Sequence, residues 1–101
     1  EGELANAVGR ANLTGLFCCP HTGVALAVLE KLVKQGKINR KDRVIVISTA
    51  NGLKFTDFLH NYHTAKLEGV KSEFPYAPVD LPAEYDIVRD AIIESIDGCA
   101  K

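Results

Sequence analysis

The chain has 101 residues, 47% of them hydrophobic and 25% charged, with a net charge of −1. That is the length of one domain or less and the balance of a globular chain, and it excludes a disordered one. The charge leaves no basic footprint for nucleic acid or an anionic membrane surface, and no apolar run approaches the ~20 residues of a membrane span.

Residues 3–12, ELANAVGRAN, place Leu4, Ala7, Val8 and Ala11 at helical spacing and predict a first helix, ended by NLTG. The next stretch, LFCC (16–19), is short, apolar and stopped by Pro20, so it reads as a strand. TGVALAVLEKLVKQG (22–36) sets Ala25, Val28, Leu29, Leu32 and Val33 on one stripe, opposite Glu30, Lys31, Lys34 and Gln35. This predicts an amphipathic helix with Thr22 as N-cap and Gly36 at the C′ position. RVIVIST (43–49) then carries four β-branched apolar residues in a row, as expected of a strand covered on both faces. About fourteen helical residues span roughly 21 Å, close to the roughly 23 Å of a seven-residue strand. Strand, matched helix and strand predict a right-handed βαβ crossover.

ANG (50–52) reads as a turn and LKFTDFLHNYHTAKL (53–67) as a helix whose stripe is Phe55, Phe58 and Tyr62. SEFPYAPVDLPAEYD (72–86) holds three of the four prolines and reads as an extended linker. Pro82 falls in the first turn of a last helix, with Val88, Ala91, Ile92, Ser95 and Ile96 on one face and its end at Gly98.

The expected fold is therefore α/β: a partial three-layer sheet built around a βαβ unit with parallel strands, plus flanking and C-terminal helices. Two strands cannot complete such a sheet. Each Val or Ile of 44–47 is worth roughly 1.5–3 kcal/mol when buried, and one helix covers only one face. The chain is accordingly expected to be part of a larger sheet and, expressed alone, to associate or lack fixed packing.

In parallel sheets ligands sit beyond the carboxyl ends of the strands, which is where CCPHTG (18–23) and STANGLKF (48–55) fall. Three cysteines, Cys18, Cys19 and Cys99, are an odd number with two adjacent, so they form no secreted disulfide framework, and reduced intracellular thiols are the default. No second Cys/His pair follows at zinc spacing, and Pro20 separates Cys19 from His21, so neither a metal site nor a thiol nucleophile is indicated. Cys18 and Cys19 read as small apolar packing residues. No glycine-rich phosphate cradle is present. Ser48 and Thr49 end the second strand; as residues alone they suit a ladder end, a helix cap, or one neutral hydrogen bond to a ring.

TGLFCCPHTGVALAVLEKL followed by DRVIVISTANGLKF resembles the C-terminal part of threonine synthase, a fold-type II pyridoxal-phosphate family, in its plant-like branch. The downstream Tyr62-His63 pair fits the same resemblance. It implies conversion of O-phospho-L-homoserine and water to L-threonine and phosphate, with pyridoxal 5'-phosphate as cofactor. It further implies that residues 1–101 are the C-terminal part of the large cofactor-binding domain, incomplete on their own. Thr49 matches the hydroxyl that meets the pyridine nitrogen; a neutral partner there leaves that nitrogen largely unprotonated. Ser48, Ala50 and Asn51 would shape the pocket edge, and His21 and Thr22 its wall. Asn51 stands where the family pattern has histidine, and Cys19 where other fold-type II relatives have an acidic residue before the proline. The Schiff-base lysine and phosphate loop have no match here, and Lys31, Lys34, Lys54 and Lys66 read as surface residues.

The implied partners are the remainder of the polypeptide, the substrate O-phosphohomoserine and a second copy in a full-length homodimer, with no nucleic acid and no membrane. The implied compartment is intracellular: cytoplasmic for a bacterial source, plastid for a plant one. The competing readings are another fold-type II lyase, threonine dehydratase-like or cysteine synthase-like, and a non-catalytic module from a truncated gene.

Overall fold

The computed structural model describes residues 1–99. Among these residues four α-helices follow one another: α1 (Gly2–Asn12), α2 (Pro20–Lys34), α3 (Thr56–His63), entered through a 3-10 turn at Gly52–Phe55, and α4 (Tyr85–Cys99). No helix among the described residues is long and apolar enough to cross a membrane.

Helix α1 carries Glu3 in its first turn and Arg10 in its last, each sign matching the helix dipole at its end. Helix α2 opens with Pro20 at its first position, where a missing N–H costs nothing and a fixed φ suits the helix. The N-cap is therefore Cys19, and Thr22 lies inside the first turn, which corrects the capping role expected of it. Gly36 takes the predicted C′ position at φ +69°, where any β-carbon is strained, and its N–H donates to the Val33 carbonyl at 3.0 Å. The last helix begins at Tyr85, so Pro82 lies ahead of its first turn.

The core is small: Ala5, Ala7, Val8, Cys18, Cys19, Ala27, Leu59 and Tyr62. Small residues let α1 and α2 meet closely. Gly23 and Ala27, four apart on one face of α2, are both buried, and the Gly23 backbone rests on Leu4 and Val8 of α1. Tyr62 of α3 seals the opposite end, its ring lying over Gly9.

The expected α/β sheet does not form. The described residues contain one isolated antiparallel bridge, Cys18 with Asn51, in place of a parallel βαβ pair. Its two hydrogen bonds run from the Cys19 N–H to the Ala50 carbonyl (3.2 Å) and from the Gly52 N–H to the Phe17 carbonyl (3.1 Å). What pairs is thus the residues after VIVI, not VIVI itself. A strand is held by ladder bonds and cross-strand packing, and Val44–Ile47 finds neither: Ile45 is 89% and Ile47 73% exposed. The α4 stripe is likewise open, with only Val88 and Ala91 half-buried and Ile92 and Ile96 exposed. Neither the first nor the last helix covers the apolar run.

His63, buried on α3, ties the proline-rich segment down. Its Nδ1 accepts the Tyr76 N–H at 3.2 Å, and the Tyr76 ring lies against it at a 4.0 Å centroid separation. A neutral imidazole whose Nδ1 accepts carries its proton on Nε2, which lies 3.2 Å from the Asn12 amide. That proton calls for an acceptor, so the Asn12 amide is assigned with its oxygen in place of Nδ2 towards His63, which gives a partner to Oδ1, the one buried side-chain oxygen without one among the described residues. Burial lowers the His63 pKa from 6.5, so just below pH 6.5 the unfolded chain takes up a proton that the folded one refuses. The stability held by neutral His63 is full above pH 6.5 and is lost as pH falls through the folded value. Unfolding midpoints measured across this range are expected to fall with acid, and His63→Gln is expected to flatten the slope.

Candidate functional site

The bridge at Cys18 and Asn51 draws together the two segments that sequence singles out. On one side is the start of α2, where Cys19 and Thr22 are both buried; on the other is the extended run that ends at Ser48 and Thr49, both exposed. Their side chains form a chain of weak polar contacts. Cys19 Sγ lies 3.4 Å from Thr22 Oγ1 and 3.6 Å from Thr49 Oγ1, and Thr22 Oγ1 lies 3.3 Å from Ser48 Oγ.

The other residues expected at the site take different stations. His21 is exposed and turns the edge of its ring to Phe55, centroids 5.4 Å apart. Ala50 is half-buried and contributes its carbonyl to the bridge. Asn51 caps the 3-10 turn, its Oδ1 accepting the Leu53 N–H at 2.9 Å. Its side chain is thereby engaged in local structure. Lys31, Lys34, Lys54 and Lys66 are all on the exposed surface.

Electrostatics single out Cys19 between the two neighbouring thiols. Burial alone pushes the Cys19 thiol up, but hydrogen bonding from Thr22, then Thr49 and His21, outweighs it and brings the pKa down from 9.0 to about 6. Cys18 moves the other way: burial raises it, and the neighbouring Cys19 charge raises it further. Cys18 therefore behaves as the small apolar packing residue expected of both. Cys19 does not. The signal was Pro20, since a proline at the first helical position makes the residue before it the N-cap and brings its sulfur to the amide end of a helix.

A separate groove of about 460 Å³ lies between α1, α2 and residues 71–74. Its walls are surface charges partly paired with one another, Lys31 with Glu3 at 2.6 Å and Arg10 with Glu30 at 3.3 Å. None of the residues expected at the site lines it.

No protein-family model matches the chain. Threonine synthase 2, chloroplastic, of Arabidopsis thaliana is 44% identical to it over 94 residues, 93% of this chain. The chain is a relative of threonine synthase. It spans 18% of the length of that relative.

Proposed function

We propose that the chain is the C-terminal part of a threonine synthase and that the complete protein converts O-phospho-L-homoserine and water to L-threonine and phosphate. The observation that carries this is the 44% identity running through 93% of the chain. In this reading the remainder of the polypeptide contributes the lysine that carries the cofactor and the loop that binds its phosphate. A second copy of the full-length protein completes a homodimer. The relative's chloroplast name supports a plastid compartment for a plant source.

The residues present suit one edge of pyridoxal 5'-phosphate. Residues 18–23 and 48–52 contribute hydroxyls on Thr22, Ser48 and Thr49 and contain no carboxylate and no lysine or arginine. A ring nitrogen beside them meets a neutral hydrogen-bonding partner. The cofactor, when bound, supplies the electron sink for chemistry at the substrate's α- and β-carbons. Thr49 holds the ring nitrogen and keeps the ring from turning. Ser48, Ala50 and Asn51 form the edge beside it, and Thr22 and His21 the wall behind it, where the first turn of α2 also offers its amide ends.

The test is made on the complete protein. Phosphate release and threonine formation from O-phospho-L-homoserine are expected with pyridoxal phosphate present; a loaded protein forming no threonine would sink the reading. Thr49→Val removes one hydroxyl and is expected to weaken cofactor affinity about tenfold, the value of one hydrogen bond of ~1 kcal/mol or slightly more. Unchanged affinity, absorbance and turnover would overturn the assignment of Thr49.

A further inference from the structure

We propose that Cys19 is the positioning residue for Thr49: its sulfur gathers the Thr49 and Thr22 hydroxyls and fixes the direction in which Thr49 faces the cofactor ring. This rests on the reading of Thr49 given above. The geometry is specific to Cys19. It stands at the N-cap position of α2, is fully buried, and is the one side chain among the described residues in contact with both a hydroxyl of the helix and a hydroxyl of the 48–51 segment. Thr49 itself is exposed, and the Cys19 sulfur at 3.6 Å is its one side-chain hydrogen-bond partner among the described residues. Without that contact a threonine on an open edge is free to turn.

The sulfur also decides which way the hydroxyl proton points. A thiolate only accepts, so a deprotonated Cys19 takes the Thr49 O–H and leaves the Thr49 lone pairs facing outward, which opposes an unprotonated ring nitrogen. A thiol donates, and its proton frees the Thr49 O–H to point at the ring. The thiol is therefore the form of Cys19 that supports the contact, and cofactor binding favours it. The titratable groups facing Cys19 are Cys18, whose thiol burial pushes up, and His21. Residues 48–51, packed against it, bring hydroxyls and amides and no charge. The low pKa of Cys19 agrees with two hydroxyls donating to its sulfur.

Two measurements on the complete protein test this. In the cofactor-free protein, the ultraviolet absorbance of the thiolate, taken as the difference from Cys19→Ala, is expected to titrate near pH 6. Thr49→Val is expected to move that midpoint up by about one unit, and Thr49→Ser, which keeps the hydroxyl, to restore it. In the loaded protein, at a pH below that midpoint, Cys19→Ala is expected to weaken pyridoxal phosphate affinity severalfold, Cys19→Ser to recover most of it, and the Cys19→Ala, Thr49→Val pair to be no weaker than Thr49→Val alone. A midpoint indifferent to Thr49, or affinity losses that multiply independently, would overturn the positioning role and leave Thr49 at the ring. Loss of the effect of Thr49→Val itself would overturn the cofactor reading, and the role of Cys19 with it.

Discussion

Alanine in place of Gly23 is expected to force α1 off α2 and to lower stability by about 1–3 kcal/mol, the usual cost of overpacking a close contact. Two effects compete. Alanine is the better helix former by about 1 kcal/mol, and Gly23 lies within α2. Against that, a β-carbon there collides with Val8 Cγ2 and comes within 2.7 Å of the Leu4 carbonyl oxygen. The methyl group of Val8 can turn aside, but a carbonyl oxygen inside a helix cannot move unless the whole helix moves. The steric cost therefore wins. Thermal unfolding followed by circular dichroism is expected to show a lowered midpoint, and amide exchange to accelerate along α1. Val28→Ala on the exposed side of the same helix removes no comparable contact and serves as the control. Because Gly23 directly follows Thr22, the same displacement also disturbs the contacts of Thr22 with Cys19 and Ser48.

The elements that could be read from sequence are those whose determinants are local. Leu4, Ala7, Val8 and Ala11 announced α1, and Gly36 marked the end of α2, because helical spacing and a left-handed C′ residue depend only on neighbours in the chain. The convergence of CCPHTG with STANGLKF was legible as well, although the route to it was not. It was deduced from a parallel sheet, and it is made by one antiparallel bridge at Cys18 and Asn51. Val44–Ile47 misled because β-branched runs report a fit to packed, covered surfaces and not an intrinsic strand; among the described residues nothing covers Ile45 or Ile47. The α4 stripe failed in the same way: Ile92 and Ile96 are spaced for a partner, and spacing does not say whether one is in reach. Cys19 was missed for the opposite reason. Its place at the head of α2 is local, but it was judged by residue type alone, as a small apolar side chain, when the following proline had already put it at a helix N-terminus.

Tyr62 carries the largest single penalty: Tyr62→Ala is expected to cost about 3–5 kcal/mol, as for other buried aromatic truncations, a large share of the ~5–15 kcal/mol that holds a whole domain. The side chain is fully buried, and its hydroxyl joins three segments. Oη donates to Asn6 Oδ1 of α1 at 2.7 Å and accepts the Phe74 N–H at 3.2 Å. Asn6 in turn accepts the Glu73 N–H at 3.0 Å and donates to the Lys71 carbonyl at 3.1 Å. Tyr62→Phe keeps the ring and strands the Phe74 amide, at about 1–3 kcal/mol, so the two variants separate packing from hydrogen bonding. A coupled change tests the packing directly. A β-carbon on Gly9 collides with the Tyr62 ring and with no other group in its three closest contacts. Gly9→Ala is therefore expected to destabilise the chain that has Tyr62. In the Tyr62→Ala background the obstacle is gone, and the same substitution is expected to stabilise by up to about 1 kcal/mol through helix propensity. Chemical denaturation of the four proteins gives the interaction energy. A Gly9→Ala effect of the same sign in both backgrounds would mean that the ring does not lie over Gly9, and that α3 meets α1 somewhere else.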